Sequence, residues 1–283
     1  MSQQHASDRG TDVVVGVDGT STALHAVAWA AEEAAAHDGS LTIVHAAPYA
    51  VDEPGIRRAN GILGRAKSVA EHERRGLPVR TRLSTEHALP GLIDEAEGAR
   101  LLVAGLVSET VADAVLGSVT LDVLGHATCP VAVIRRSDAI GGAGVLAGIG
   151  SPAADAGALA LAFTEADAHG DPLTVVHADG HRHGLPPTEL VDEVDRWAKR
   201  FPQVGVQIEG VRGSAADVLA ARSAGARMLV VGSRGHHRVA RVLLGSTSRV
   251  LVWNSACPVV VAPHAGLHDA GVAADDPAGR ADS

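Results

Sequence analysis

Aromatic residues, cysteines and long apolar segments are all scarce in this chain. Aromatics make up only 2% of the 283 residues, so a core must be built from aliphatic side chains, and base-stacking platforms for nucleic acid are not expected. The two cysteines, Cys129 and Cys257, cannot form a disulfide framework, and no CxxC pair occurs. No apolar run approaches the ~18–20 residues of a membrane helix, and the polar start is unlike a signal peptide. These absences predict a soluble, cytoplasmic protein that does not enter a membrane.

Positive charge is scarce as well. Lysine and arginine total 24 against 33 acidic residues, which gives a net charge of −9 at pH 7 with neutral histidines. The acidic excess occurs in both halves, so neither half has the basic surface expected of a nucleic-acid-binding protein. The sequence also lacks the G-x-S-x-G, H-E-x-x-H and G-x-x-x-x-G-K-[ST] patterns. We therefore predict no catalytic residues, no metal site and no nucleic-acid partner.

What the sequence does contain is an internal repeat, which strongly constrains the fold. Three landmarks recur 132 residues later: Gly16 as Gly148, His37 as His169 and His45 as His177. Further along, the segments Cys129–Val133 and Cys257–Val261 match at a shift of 128 residues. The change in the shift indicates small insertions and deletions between two copies of one unit.

Each copy alternates apolar strand-like runs with helix-like segments, ending on a fifth strand. The runs are continuous rather than alternating, which is typical of strands covered by helices on both faces. This order predicts an α/β fold, with a doubly wound parallel sheet in each copy. We predict domains at 12–135 and 144–263, and we expect 1–11 and 264–283 to be disordered. The predicted strands are 13–18, 41–46, 78–83, 101–105 and 131–134, then 144–149, 173–178, 204–209, 228–232 and 259–262.

The residues after the fourth strand of the second copy carry the clearest functional pattern. Gly232-Ser233-Arg234-Gly235 is followed, after nine residues, by Gly245-Ser246-Thr247-Ser248. Glycines let backbone N–H groups approach a phosphate, and a helix that starts at Gly245-Ser246 directs its dipole at an anion. Ligands of open parallel sheets bind at this edge, where the strand order reverses. The pattern predicts a phosphate site; the alternative is a pair of turn glycines followed by a Ser/Thr helix cap.

Together these motifs resemble the universal stress protein family, present here as a tandem repeat. The resemblance rests on VVVGVDGT at 13–20, ARMLVVGSRG at 226–235, LLGSTS at 243–248 and the CPV segments at 129–131 and 257–259. It implies an adenine-nucleotide α-hydrolase-like, Rossmann-like fold with five strands in the order 3-2-1-4-5. It also implies a stress-linked cytoplasmic protein, commonly dimeric. One branch of the family binds ATP, which Mg²⁺ can accompany, through a G-x2-G-x9-G-[ST] loop; another branch lacks both loop and nucleotide.

The two copies keep different parts of that family's nucleotide site. In the ATP-binding branch an aspartate after the first strand lies at the adenosine end, and its match is Asp18 in the first copy but Gly150 in the second. In the first copy, Ser108 replaces the second glycine of the loop, and the spacing to Gly117 is one residue short. We therefore expect nucleotide in the second copy, and Asp18 is either a contact in the first copy or a turn residue. The resemblance assigns the nucleotide contacts to Gly232, Arg234, Gly235, Gly245, Ser246, Thr247 and Ser248.

Two histidines and both cysteines admit more than one interpretation. His45 and His177, at strand ends, either line a ligand pocket or are hydrogen-bonded core histidines, and we include His177 among the nucleotide contacts. Cys129 and Cys257 each precede a proline at the start of a fifth strand, and we expect them to be small buried apolar groups.

The sequence as a whole predicts a nucleotide-responsive regulatory or stress-protection protein that binds ATP in its second domain. One alternative is a nucleotide-free scaffold that acts through protein contacts, and another is an enzyme that activates a substrate with ATP. Slow ATP hydrolysis is the most catalysis that the residues support. In the family the fifth strand is an edge that pairs across a two-fold axis, so we predict antiparallel pairing of 131–134 with 259–262 in an internal pseudo-dimer. Homodimerisation of the whole chain stays open.

Overall fold

The structure, a computed structural model, describes residues 9–106, 119–138, 141–178, 184–233 and 244–263. Its first half begins with a short 3-10 turn at Arg9–Thr11. The strands of this half are β1 (Val13–Gly16), β2 (Leu41–Ala46), β3 (Val79–Ser84), β4 (Leu101–Leu106) and β5 (Val131–Arg135). Its helices are α1 (Ser21–Ala36), α2 (Glu53–Glu73), α3 (Ala88–Glu95) and α4 (Val119–His126).

The second half repeats this order of elements. Its strands are β6 (Val145–Gly148), β7 (Leu173–Ala178), β8 (Val206–Val211), β9 (Met228–Gly232) and β10 (Val259–Ala262). Its helices are α5 (Ala156–His169), α6 (Thr188–Arg200), α7 (Ala215–Arg222) and α8 (Ser246–Asn254). None of the helices in the described residues is both long and apolar enough to cross a bilayer.

Within the described residues, all ten strands join one sheet in the order β3-β2-β1-β4-β5-β10-β9-β6-β7-β8. Each half therefore has the predicted order 3-2-1-4-5, and the pairings inside each half are parallel. The α/β fold class and the strand order are confirmed. The strand bounds differ from the predicted ones by up to two residues, most clearly at β8.

The two halves meet edge to edge at their fifth strands. Val259 lies opposite Val133 and Val261 opposite Val131 in an antiparallel pair, so the predicted internal pairing is confirmed. Because each fifth strand would otherwise end its sheet, the pairing satisfies backbone groups that would be exposed. Arg135, at the end of β5, also donates to the backbone carbonyl of Trp253 in the second half.

Helices cover both faces of the sheet and create two apolar cores. Val13 and Val15 of β1 point into one core and Val14 into the other, as alternation along a strand requires. The first core packs under α1, α2, α5 and α6, and the second under α3, α4, α7 and α8. Both cores contain residues of both halves, so the repeat folds as one continuous packed body.

The described residues include part of the first terminal segment. Arg9–Thr11 form the 3-10 turn, and the expectation of disorder over 1–11 stays a prediction. The backbone carbonyl of Thr11 there lies only 2.1 Å from where a Cβ on Gly39 would be, so the absence of a side chain lets the two segments meet. The tail 264–283 lies outside the described residues, and the domain bounds 12–135 and 144–263 stay predictions.

Candidate functional site

Each half has a cavity at the carboxyl ends of its first and fourth strands, where the strand order reverses. The cavity of the second half has a volume of about 170 Å³ and that of the first about 140 Å³. Their linings match position by position, for example Leu219 with Leu92 and Ser248 with Thr120. We call them the second and the first cavity.

Glycines at the ends of the first strands shape both cavities. A Cβ on Gly148 would lie 2.5 Å from Leu219 Cδ1, and a Cβ on Gly16 would lie 2.9 Å from Leu92 Cδ2. These glycines therefore allow α7 and α3 to approach the sheet closely. The repeated glycine noted in the sequence thus has a packing role beside each candidate site.

The second cavity gathers most of the predicted phosphate residues. Its lining includes Gly232 at the end of β9 and the segment Gly245–Ser248 at the start of α8. Gly245 is the N-cap residue and has no side chain to accept from the first turn of α8. The N–H groups of Ser246, Thr247 and Ser248 belong to that first turn, where an α-helix offers no acceptor of its own. The start of α8 is therefore suited to an anion in the cavity.

A hydroxyl fixes the start of the last helix against the fourth strand in both halves. Ser248 Oγ donates to the carbonyl of Gly232 at 2.6 Å, and Thr120 Oγ1 donates to the carbonyl of Gly105 at 2.8 Å. Ser248 and Thr120 are both buried, so each hydroxyl needs such a partner. Ser248 therefore positions the helix as well as lining the cavity.

The carboxylate of the second cavity comes from a residue that the sequence comparison missed. Asp155 precedes α5, is only 6% exposed, and is the only charged residue among the described ones that line this cavity. Its Oδ2 accepts from the backbone N–H groups of Gly150 and Ser151, at 2.8 and 3.0 Å. Its match in the first half is Ala23, so aligning positions could not reveal it. An aspartate just before an apolar helix is a signal that could have found it.

Among the described residues that line the first cavity, Asp18 is the only carboxylate, and it stands at the predicted position. Asp18 Oδ1 accepts from the Thr20 N–H at 2.9 Å and from Thr20 Oγ1 at 2.6 Å, while Thr20 Oγ1 accepts from the N–H of Ala23. Gly19 makes this turn with a φ of 90°, which favours glycine. Ser151 occupies the matching position in the second half. It does not have a positive φ, because Asp38 is the only described non-glycine residue that does, so the backbone turns differently there.

The two histidines at strand ends bond to backbone rather than line the cavities. His177 Nδ1 lies 2.9 Å from the carbonyl of Ile149, and His45 Nδ1 lies 2.7 Å from that of Val17. His45 also bonds through Nε2 to the hydroxyl of Tyr49 at 2.9 Å. His177 is not among the described residues that line the second cavity. Its role as a nucleotide contact stays a prediction, and its geometry is that of a hydrogen-bonded core histidine.

The cysteines are buried thiols beside the junction of the halves. Cys129 and Cys257 belong to the same apolar core and are 7% and 1% exposed. Burial raises the pKa of each thiol to about 11. This environment suits small apolar residues rather than reactive nucleophiles.

Several predicted residues lie outside the part of the chain that the structure describes. These include Arg234 and Gly235 of the phosphate pattern in the second half. In the first half the same holds for Ser108 and Gly117.

Comparisons with known proteins identify one family to which this chain is similar in sequence and in fold. The model of the universal stress protein family matches residues 11–135 and 183–263. A universal stress protein of Mycobacterium tuberculosis is 32% identical, and the match covers 88% of this chain and 95% of the relative. The crystal structure of a universal stress protein from Archaeoglobus fulgidus has a TM-score of 0.69 at 18% identity, covering 89% of this chain and 96% of that one. A shorter universal stress protein, solved in complex with cAMP, covers 44% of this chain and 95% of its own, with 31% identity and a TM-score of 0.39.

Proposed function

Because the chain belongs to the universal stress protein family, we propose that it binds an adenine nucleotide, ATP in the first instance, in the second cavity. In this proposal the phosphates lie at the start of α8 and the adenosine lies towards the turn that follows β6. Mg²⁺ enters only as the usual companion of ATP. The bound nucleotide regulates a stress-protection role.

The observation that carries the proposal is the convergence of Gly232 and Gly245–Ser248 on one cavity at the switch point of the sheet. A helix start without a capping side chain offers N–H groups and a positive dipole end to an anion. The helix has nine residues, so its dipole is developed over more than two turns. A phosphate is the ligand group that matches these donors best.

Asp155 supports the proposed orientation of the nucleotide in the second cavity. A carboxylate in the cavity repels phosphate, so the phosphates are expected away from it, at α8. Its oxygens are acceptors, and the ribose hydroxyls and the adenine amino group of a nucleotide are donors. Asp155 therefore suits the adenosine end, the role that the family resemblance gives to the position now occupied by Gly150.

Calorimetric titration of the full chain with ATP, AMP, adenosine and cAMP, each with and without Mg²⁺, tests the proposal. Each charge-assisted hydrogen bond is worth roughly 1.5–3 kcal/mol, so ATP should bind at least about tenfold more tightly than adenosine. Equal affinity for ATP and adenosine would show that the start of α8 does not hold phosphate. No binding at millimolar ATP would overturn the proposal and favour the nucleotide-free scaffold. The cytoplasmic location and whole-chain dimerisation stay predictions.

A further inference from the structure

A buried cluster of four titratable side chains lies where α1 of the first half meets α5 of the second. Glu33 and His37 come from α1, and Glu165 and His169 occupy the matching positions of α5. His37 Nε2 lies 2.7 Å from Glu165 Oε2, and His169 Nε2 lies 3.1 Å from Glu33 Oε2. All four side chains are less than one-tenth exposed. The repeat thus crosses the junction of the halves twice with the same Glu–His pair.

An arginine breaks the symmetry of this cluster. Arg100 donates from Nη2 to Glu165 Oε1 at 2.9 Å. Its repeat counterpart, Arg227, instead donates from Nε to Asp171 Oδ2 at 2.5 Å. The match of Asp171 in the first half is Gly39, which has no side chain to hold Arg100 back. Asp171 therefore explains why one arginine reaches across the junction and the other does not.

The two glutamates consequently sit in opposite electrostatic environments. Burial alone would raise the pKa of Glu165, but the His37 hydrogen bond and the Arg100 charge outweigh it and lower that pKa to about 2. For Glu33 burial raises the pKa above the ordinary 4.5, and the His169 bond offsets this only in part. Within the described residues, no lysine or arginine bonds to Glu33. Glu165 is thus held ionised, whereas Glu33 favours a bound proton.

We propose that the Glu33–His169 pair holds one buried proton between the halves, so that their docking depends on pH. With both glutamates ionised and both histidines neutral, the cluster with Arg100 has a net charge of −1, and one proton makes it neutral. A net charge is costly in a buried interface, so the neutral state is favoured.

The titratable and charged side chains around Glu33 come from its own helix and from the elements packed against it. His37 comes from its own helix, Glu165 and His169 from α5, and Arg100 from the position just before β4, where it bonds to Glu165. On the side of α2, Arg74 pairs with Glu32 rather than with Glu33. Since no lysine or arginine of the described residues bonds to Glu33, a bound proton is needed to neutralise its negative charge.

The direction of the pH dependence follows from the raised pKa of Glu33. The folded chain binds this proton more tightly than the unfolded chain, whose carboxyl titrates near the ordinary 4.5. The stabilisation is complete below that pH and is lost as the pH rises through the folded value. Glu165 has the reverse dependence: its stabilisation is present above 4.5 and is lost as the pH falls towards about 2.

A divalent metal ion is the competing occupant. The ligand atoms of Glu33, Glu165 and His169 lie within 4.8 Å of one another. A doubly charged ion beside Arg100 would leave the cluster at +1, whereas a proton leaves it at zero. Charge balance therefore favours the proton, and added Zn²⁺ distinguishes the two.

The test compares Glu33→Gln with Glu165→Gln, the same change at matching positions, by urea unfolding of the full chain from pH 5 to 9. Relative to Glu33→Gln, the folding equilibrium constant of the wild type should fall as the pH rises, by up to about tenfold per pH unit. In a thermal melt, Glu165→Gln should lower the melting temperature by about 5 °C or more, because it leaves Arg100 without its carboxylate. It also removes one negative charge beside Glu33, so its pH slope should be shallower than that of the wild type.

A third variant tests the cause of the asymmetry. Asp171→Ala removes the acceptor that holds Arg227, which can then turn towards Glu33 as Arg100 turns towards Glu165. This variant should flatten the pH profile as Glu33→Gln does. Parallel profiles of the wild type and Glu33→Gln would overturn the proposal, as would equal destabilisation by Glu33→Gln and Glu165→Gln. If Zn²⁺ stabilises the wild type but not Glu33→Gln, the cluster holds a metal ion rather than a proton, and the proposal is wrong.

Discussion

The first and second cavities occupy the same place in two copies of one fold, yet each receives its carboxylate from a different element. In the first, Asp18 follows strand β1 and bonds within a glycine turn. In the second, Asp155 precedes helix α5 and accepts from the turn after β6. The difference teaches that a lost side chain at one aligned position need not mean a lost chemical group in the site.

The start of the last helix provides the second contrast. Thr247 of α8 matches Val119 of α4, and both line their cavities. In the second half this start follows an intact phosphate pattern, whereas the loop of the first half has lost a glycine and a residue. We therefore expect the two halves to differ in ligand binding while sharing a scaffold.

The largest expected effect comes from placing a negative charge at this matched position. Thr247→Asp should weaken ATP binding by about 10–100-fold, because the carboxylate competes for the N–H groups that hold phosphate. Val119→Asp, the matched control, should leave the affinity unchanged. An aspartate in the first turn favours a helix, so neither variant should lose stability. Equal losses in calorimetry of the two variants would remove the contrast between the halves.

Removing the two carboxylates should affect stability unequally. Asp155→Ala leaves two N–H groups of a half-buried turn without their acceptor and should cost about 2 kcal/mol of unfolding free energy. Asp18→Ala should cost only about 0.5–1 kcal/mol, because its bonds are exposed and Thr20 still caps α1. Urea unfolding measures both. Asp155→Asn, which keeps an acceptor oxygen, should lose less than Asp155→Ala; a larger cost for Asp18→Ala would reverse the assignment.

The two hydroxyls that fix the last helices, one in each half, should contribute equally to the free energy of unfolding. Ser248→Ala and Thr120→Val each remove one buried side-chain bond to a fourth-strand carbonyl, at an expected cost of about 1 kcal/mol. Chemical unfolding of both variants checks this. A clearly larger cost in one half would show that the scaffold itself, and not only the ligand site, has diverged.

The smallest difference between the two halves is expected in the reactivity of their cysteine thiols. Burial raises the pKa of both Cys129 and Cys257 to about 11, so neither thiolate is populated in the folded chain near pH 8. Both should resist alkylation at that pH and react together once urea unfolds the protein. Mass spectrometry of each cysteine peptide follows the reaction. Selective labelling of one native cysteine would reveal local opening on one side of the junction.

Much of the fold could be predicted, because continuous aliphatic runs and a repeat constrain it strongly. The strands at 41–46, 173–178 and 259–262 were predicted with the bounds that the structure has. The sequence predicts β8 two residues early, because Val204 is apolar and buried but precedes the strand. The antiparallel junction was available only through the family resemblance, since no local pattern specifies which edge pairs with which.

The missed residues share a physical reason: their roles come from contacts between elements. Asp155 supplies its carboxylate to a turn five residues earlier in the chain, and comparison of Gly150 with Asp18 alone reports only a loss. The sequence prediction uses the recurrence of His37 as His169, but not that of Glu33 as Glu165. The spacing of four residues places each Glu and His on one helix face, and this was the available signal.

A crystal structure of the full chain grown with ATP tests the central contrast most directly. We predict nucleotide density in the second cavity, with phosphate oxygens within hydrogen-bonding distance of the N–H groups of Ser246–Ser248 and the adenosine towards Asp155. The first cavity should hold no nucleotide. Density in the first cavity alone, or equally in both, would contradict the account.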